Sequence, residues 1–488
     1  MKNNLKVNLI SLYIIILILG IVIGLLLKYL TSQETGILII YLSYLGIFFY
    51  FLAIITWNKK TKKIFTPYLI FISICYLFMF GQCFLWALRI YLKYDLRMLF
   101  SDDQIIKAQF YTILGLSLFH LGAMVKATKS KSNKIKRKNQ NNSLSIKDFY
   151  SCRIVGFVLL IVSIVPYLYF IRDQIKFSSF YGYKFLYYDP NFIRTGERAS
   201  VIILSSLLTP AFISLLIGYC KTKIFYLLSI AIFIKNILDI YIGRRFEAYI
   251  WFLLLGIIWH YYRTKLNRKQ IILFIIILFV VLTWTPAIRD YRHMTNKSIP
   301  EFLKYTTNYI GRGDKAIEAI SEIGGSMYPL IMTMNLVPGE YQYRFGKSYL
   351  YSLITIIPNL GFWDIHIGYR EANLGDWLMG VLNLGYGPGY SLIAEAYINF
   401  GWFGIIFLLL LGYLYAYVFL LLESDNARNN IILSCFVLTF FYFSITTIRN
   451  SFIANVRALF YYAIPTYFLA IYISNKINIK NGILKKKG

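Results

Sequence analysis

The chain has 488 residues, of which 58% are hydrophobic and only 15% are charged. Soluble proteins carry about 25% charged residues, so a soluble fold of this composition could not cover its surface with polar groups. The net charge of +29 does not indicate a nucleic-acid partner, because the cations lie between apolar runs and form no basic domain. The composition therefore predicts an integral membrane protein surrounded by lipid.

Twelve apolar runs are long enough to cross a hydrocarbon layer of about 30 Å as helices, which takes about 20 residues each. They are approximately 8–30, 36–57, 65–88, 104–125, 152–171, 199–219, 224–242, 246–262, 271–288, 399–422, 431–447 and 458–475. The sequence thus predicts an all-α polytopic protein of about twelve transmembrane helices. Residues 1–488 are expected to form a single integral membrane domain.

Basic residues cluster in four short polar segments, at 59–63, 126–147, 263–269 and 485–487. With twelve helices, all four clusters fall on the same side of the membrane as both termini. Short loops rich in Lys and Arg stay in the cytoplasm, so this side is predicted to be cytoplasmic.

A long segment, residues 288–398, separates the ninth run from the tenth and is predicted to be an extracytoplasmic loop. Its apolar stretches at 327–336 and 349–360 are too short to span, which favours interfacial or re-entrant helices. The segment occurs once, and no repeat relates the two halves of the chain. A transporter built from inverted repeats is therefore disfavoured.

The cations predicted to face the cytoplasm are mostly lysine, whereas those predicted outside are mostly arginine. The planar guanidinium group binds phosphate oxygens through two hydrogen bonds and tolerates partial desolvation, which favours an anionic ligand such as the diphosphate of a lipid carrier. Anchoring of helices at lipid headgroups is the alternative for any single arginine. The candidate diphosphate ligands are Arg244, Arg245, Arg289, Arg292, Arg344, Arg449 and Arg457.

A catalyst also needs a group that accepts or donates a proton. The candidate catalytic residues in the outer region are Glu395, His366 and Asp376; Asp290 and Glu371 are among the further titratable groups there. Glu395 stands at the start of the tenth predicted helix, where a carboxylate needs either a partner or a chemical role. Structural pairing of Glu395 with an arginine therefore remains an alternative to catalysis.

Aromatic residues crowd the long segment, and their faces could stack on sugars. Tyr343, Trp363 and Trp377 are the candidate sugar contacts. The alternative is the general preference of Tyr and Trp for the membrane interface.

Several familiar motifs are missing from the sequence. No Asp-x-Asp, Walker loop, HExxH or GxSxG pattern occurs. The sequence therefore predicts no metal site and no cofactor, and it indicates neither an ATP-driven motor nor a hydrolase.

Three segments carry a family resemblance: Tyr343–Pro358, Gly389–Gly404 and, more weakly, Gly243–Glu247. They resemble bacterial oligosaccharide repeat-unit polymerases of the Wzy type, which make O-antigen or capsular polysaccharide. Many spans and a large outer loop late in the chain are similar as well. The resemblance implies a multi-pass protein of the bacterial cytoplasmic (inner) membrane with both termini in the cytoplasm.

The resemblance also implies a reaction. A glycosyltransferase of this type would use undecaprenyl-diphosphate-linked oligosaccharides on the outer face of the membrane. A hydroxyl group of one unit would attack the anomeric carbon of the growing chain, and undecaprenyl diphosphate would leave. Membrane lipids and a chain-length regulator are the other partners implied.

Two alternatives remain open. A flippase for the same lipid-linked sugars would share the helices and a cationic cavity, but such transporters have short loops and two similar halves. A ligase that transfers finished glycan to a lipid acceptor would share the loop and the arginines.

Overall fold

The computed structural model describes residues 9–30, 35–92, 95–135, 146–181, 196–291, 298–307, 312–359, 365–423 and 430–477. Within these ranges the chain is helical and contains no strand, which confirms the all-α prediction. Two predicted site residues, Arg292 and Trp363, lie outside the described residues.

The helices fall into three groups along the chain. Those before the long segment are α1 Leu9–Leu30, α2 Thr35–Thr61, α3 Pro67–Ala87, α4 Asp102–Ile135, α5 Ile146–Tyr181, α6 Gly196–Ser206, α7 Leu208–Gly218, α8 Ile224–Ile242, α9 Arg245–Ile258, α10 Arg268–Leu282 and α11 Trp284–Tyr291. Those within it are α12 Ile299–Thr307, α13 Gly313–Gly324, α14 Tyr328–Leu336, α15 Lys347–Ile354, α16 Ile367–Ala372 and α17 Leu374–Val381. Those after it are α18 Leu392–Phe400, α19 Gly404–Glu423, α20 Ile431–Thr446, α21 Ile453–Ala458 and α22 Ile464–Lys476.

Eleven helical stretches of the described chain are long and apolar enough to cross a membrane, in agreement with a polytopic fold. Four of them consist of two consecutive helices: α6 with α7, α10 with α11, α18 with α19, and α21 with α22. The tenth predicted run begins earlier than expected, at Leu392, because α18 precedes the predicted start at 399.

The predicted span 246–262 is not among the eleven. Its chain forms the 14 residues of α9, followed by five residues in a π turn, Trp259–Arg263. The first residue of α9 pairs with Glu322, while Tyr261 in the π turn lies 6.0 Å from Lys63. Since Lys63 and Glu322 lie at opposite ends of the bundle, α9 runs from one end to the other.

Glycines allow the two central helices α4 and α19 to pack backbone against backbone. A methyl group on Gly412 would overlap the carbonyl oxygen of Phe119, and one on Gly122 would overlap that of Leu409. Small residues at such contacts are typical of helix packing in lipid, where close approach supplies van der Waals attraction.

The long segment covers one end of the bundle, here called the cleft end. Its helix α13 lies against the end of α3, where a Cβ atom on Gly81 would come within 2.9 Å of the Gly324 Cα atom. The Gln82 side-chain amide donates to the carbonyl oxygen of Ser321 at 3.0 Å and fastens the same contact. The basic turn that contains Lys63 lies at the opposite end, beside Glu423.

Candidate functional site

A polar cavity of about 510 Å³, here called the polar cleft, opens at the cleft end. Its charged lining comes from the end of α11, from α13 and from the turn after α20. These residues are Arg289, Asp290, Glu318, Glu322 and Arg449. Five ionisable groups from three distant parts of the chain therefore face one space.

Helix α13 supplies a row of carboxylates. Asp314, Glu318 and Glu322 are spaced four residues apart, which places them on one helix face. Glu318 accepts hydrogen bonds from Arg289 at 2.5 Å and from Lys315 at 2.8 Å. Partial burial opposes the ionisation of Glu318, but these two cations outweigh it and hold its pKa below the usual value.

Glu322 is shared between two arginines. It accepts from both terminal nitrogens of Arg245, and the Arg289 Nη1 atom lies 3.6 Å from its Oε2 atom. Arg245 is only 8% exposed and also donates to the Thr285 carbonyl oxygen at 2.5 Å. Because both terminal nitrogens of Arg245 donate hydrogen bonds within the protein, its guanidinium group is held in place.

Arg449 differs from the other arginines of the cleft. Among the described residues its exposed side chain has no carboxylate partner and no hydrogen bond. Asp290, by contrast, binds the Nε atom of Arg289 at 2.8 Å, and both glutamates of the cleft are paired as well. The uncompensated positive charge of the cleft therefore lies on Arg449.

Arg449 also lines a second cavity of about 160 Å³, here called the apolar pocket. This pocket lies between α3, α9 and α10 and is lined mostly by aliphatic and aromatic side chains. Arg245, Glu322 and Arg449 form its polar end. Since Glu322 and Arg449 line both cavities, the polar cleft and the apolar pocket meet at these two residues.

Glu395 is fully buried and lines neither cavity. One of its oxygens accepts from the Ser348 hydroxyl at 2.6 Å, and the other accepts from the backbone N–H of Phe452 at 2.6 Å. The Asn399 side-chain amide donates in turn to the Ser348 hydroxyl at 2.8 Å. The carboxylate thus joins α15 and α18 to the turn at residues 449–452.

That turn, here called the 449–452 turn, is held at three points. Besides the bond from Phe452 to Glu395, the Arg449 carbonyl oxygen accepts from the Tyr390 N–H at 3.1 Å. The Ser451 hydroxyl accepts from the Leu374 N–H at 2.9 Å. The backbone that carries Arg449 is therefore fixed, while its side chain is left free to meet a ligand.

Arg344 lies in a different environment. Its guanidinium group donates to the Glu371 carbonyl oxygen at 2.7 Å and lies 5.3 Å from the Trp377 ring centre. Burial lowers the pKa of Arg344, although nearby Tyr390 and two glutamates oppose that effect. The structure brings Arg344 and Trp377 together, but it places them outside both cavities described here.

His366 and Asp376 occupy helix starts. The His366 Nδ1 atom accepts from the Gly368 N–H at 3.0 Å, and Nε2 lies 2.8 Å from the Ile357 carbonyl oxygen. Asp376 is exposed in the first turn of α17 and accepts from the Tyr369 hydroxyl at 3.1 Å. Both ring nitrogens of His366 are thus engaged with backbone groups of its own loop.

The remaining predicted residues lie apart from the polar cleft. Arg244 lies 4.7 Å from the Phe170 ring centre, and Arg457 lies 5.8 Å from that of Tyr461. Tyr343 packs on Gly401, where a Cβ atom would come within 2.9 Å of its ring. The φ angle of +56° at Gly401 also favours glycine there.

Sequence reasoning missed Glu318, Glu322, Ser348 and Asn399. The spacing of Glu318 and Glu322 on an amphipathic stretch was a usable signal, because it puts two carboxylates on one helix face near arginines predicted to lie outside. Ser348 and Asn399 gave no such signal, since serine and asparagine are common in loops and at helix ends.

A family model described as O-antigen polysaccharide polymerase Wzy matches residues 9–482, nearly the whole chain. No curated protein and no solved structure matches the chain significantly. Within the described ranges, no cluster of three or more His, Cys, Asp or Glu side chains is suited to hold a metal ion.

Proposed function

Since this chain belongs to the O-antigen polysaccharide polymerase Wzy family and so acts on lipid-linked repeat units, we propose that its donor is an undecaprenyl-diphosphate-linked oligosaccharide bound in the polar cleft. The observation that carries the proposal is Arg449, which has no carboxylate partner among the described residues and lies where a polar cavity meets an apolar one. A ligand with a charged head and a hydrocarbon tail matches that junction.

The diphosphate binds first to Arg449, whose guanidinium can donate two parallel hydrogen bonds to phosphate oxygens. Arg289 and Arg245 lie beside it with their positions fixed by Glu318 and Glu322. Because Glu318 and Glu322 balance the charges of Arg289 and Arg245, the positive charge of Arg449 is the one that stabilises the negative charge that develops as the diphosphate leaves.

The proton of the attacking hydroxyl group passes to Asp290. Asp290 lines the polar cleft and, in the described chain, takes part in a single ion pair, whereas Glu318 and Glu322 each contact two cations. The hydroxyl oxygen forms a bond to the anomeric carbon, and the bond from that carbon to the diphosphate oxygen breaks. Undecaprenyl diphosphate departs with the electron pair.

Glu395 acts in this scheme as a positioning residue. Its carboxylate is buried away from the polar cleft and holds the Phe452 N–H, three residues beyond Arg449. The prediction of Glu395 as a catalytic group rested on its position at a helix start, and this mechanism assigns Glu395 the support of the 449–452 turn instead.

The polar cleft faces the outside of the cytoplasmic membrane in this proposal. Support comes from the basic turn at 59–63 and from Arg263, which lie at the end opposite the cleft. Lysine- and arginine-rich short loops stay in the cytoplasm.

The test uses the purified full chain in lipid nanodiscs with lipid-linked repeat units. We expect a ladder of products that lengthen by one repeat unit, and release of undecaprenyl diphosphate in equal number. Translocation without new glycosidic bonds would identify a flippase. Transfer to a separate lipid acceptor without lengthening would identify a ligase, and either result would overturn the proposal.

A further inference from the structure

The reaction proposed above assigns no role to the apolar part of the apolar pocket. We propose that it binds the first isoprenyl unit of the carrier lipid, the five-carbon unit bonded directly to the diphosphate. This inference rests on the proposed function, because the diphosphate at Arg449 fixes where the hydrocarbon begins.

Away from its polar end, the pocket is lined mostly by apolar side chains of α3, α9 and α10. Helix α9 contributes Phe246, Ile250 and Leu253, which are spaced to lie on one helix face. Helix α10 contributes Leu278 and Leu282 from its last two turns. The pocket therefore occupies the half of the bundle next to the cleft end.

The two helices meet at the far side of the pocket and separate near the polar cleft. A Cβ atom on Gly256 would lie 2.6 Å from the Phe274 ring, so α9 and α10 touch there. Helix α10 has no buried residue, and Ile276 and Ile277 on it are exposed. The outer wall of the pocket is thus a helix at the edge of the bundle, which a lipid chain can reach from the membrane.

The volume suits a small hydrocarbon unit. An engineered apolar cavity of about 150 Å³ binds benzene, which has six carbons. The apolar pocket measures about 160 Å³, which is enough for one five-carbon isoprenyl unit. The rest of the long carrier chain would continue into the membrane.

The direct bond from diphosphate to hydrocarbon distinguishes the carrier from a phospholipid. With a phospholipid phosphate at Arg449, the glycerol and ester oxygens would enter the apolar pocket and lose their hydrogen bonds to water. In a polyprenyl diphosphate the hydrocarbon starts at the first carbon after the phosphate oxygen. The junction of the two cavities therefore favours the polyprenyl chain.

Photo-crosslinking of the wild-type full chain in nanodiscs tests the assignment. One polyprenyl diphosphate probe carries a diazirine in the first isoprenyl unit, and a second carries it at the far end of the chain. We expect the first probe to label residues 246–253 or 278–282, and the second to label other sites. Labelling elsewhere by the first probe, or equal labelling of the pocket by a diazirine phospholipid, would overturn the assignment.

A matched pair of variants gives an independent readout. Leu278→Trp fills the pocket, whereas Ile277→Trp adds the same ring at a neighbouring position that is 50% exposed. We expect Leu278→Trp to weaken binding of geranyl diphosphate at least tenfold and Ile277→Trp to change it less than twofold. Equal affinities of the two variants for geranyl diphosphate would refute the pocket assignment. If Leu278→Trp does not fold, the crosslinking of the wild type alone tests the assignment.

The chain-growth assay on the same wild-type preparation separates the two proposals. Growing chains without pocket labelling would disprove the isoprenyl site and leave the polymerase mechanism intact. Pocket labelling without chain growth would support the isoprenyl site and disprove the proposed reaction.

Discussion

Replacing Arg449 with lysine is expected to slow chain growth strongly while leaving the fold unchanged. The side chain of Arg449 is exposed and has no carboxylate partner in the described chain, so its replacement breaks no ion pair or side-chain hydrogen bond among the described residues. Lysine keeps the positive charge but cannot make two parallel hydrogen bonds to a phosphate.

The magnitude follows from the loss of one charge-assisted hydrogen bond. Such a bond contributes about 1.5–3 kcal/mol, and about 1.4 kcal/mol corresponds to a factor of ten in rate. Because kcat/KM compares the transition state with free enzyme and substrate, we expect kcat/KM for chain growth to fall by about 10- to about 150-fold.

Arg457→Lys is the matched control, because Arg457 lies outside both cavities and near the Tyr461 ring. The assay measures initial rates with purified protein and lipid-linked repeat units, and thermal unfolding checks the fold of each variant. An Arg449→Lys rate within twofold of wild type, or an equal loss in both variants, would refute the diphosphate role of Arg449.

Four further results are expected. Glu395→Ala should lower the free energy of unfolding by about 1–3 kcal/mol, because it leaves the buried Ser348 hydroxyl and the Phe452 N–H without their acceptor. Glu395→Gln should retain most activity, and equal inactivity of both variants would favour a catalytic role instead. The depressed pKa of Glu318 means that its ionised form stabilises the folded protein above its ordinary pKa, and this stabilisation is lost as the pH falls through the lowered value. Thermal unfolding of Glu318→Gln should therefore show a smaller loss of stability at acidic pH than wild type. Chain growth should persist in EDTA and weaken modestly with salt, since arginines neutralise the diphosphate; loss in EDTA with rescue by Mg²⁺ would contradict this. Asn141→Cys should resist an impermeant thiol reagent in intact cells, and labelling from outside would reverse the predicted topology.

The spans were predictable because the bilayer itself sets their length. An apolar run of about 20 residues has few alternatives in lipid, so composition alone located eleven of the crossing stretches. The division of 246–262 into α9 and a π turn was not predictable, because the hydropathy of a segment does not depend on its local hydrogen-bond pattern.

For the polar cleft, the sequence predicted the type of residue, arginine, but not which arginines come together. Arginines predicted to lie outside were chosen as candidates, but the sequence could not distinguish Arg245 from Arg244. Arg245 is the first residue of α9, whereas Arg244 precedes the helix with non-helical backbone angles, so the Arg245 side chain reaches Glu322 and that of Arg244 reaches the Phe170 ring. Glu395 was chosen for its position at a predicted helix start, yet its partners Ser348 and Phe452 lie about fifty residues away on either side.

The glycine contact between α3 and α13 has a consequence for biosynthesis. Gln82 can form its hydrogen bond only after Ser321, 239 residues later in the chain, has been synthesised. The polar cleft is complete only after synthesis has reached Arg449, which follows α20. Membrane helices emerge from the ribosome in order, at about 5–20 residues per second. The nascent chain therefore carries no finished diphosphate site until α20 and the 449–452 turn have been synthesised, and carrier lipid can be bound only by a nearly complete polypeptide.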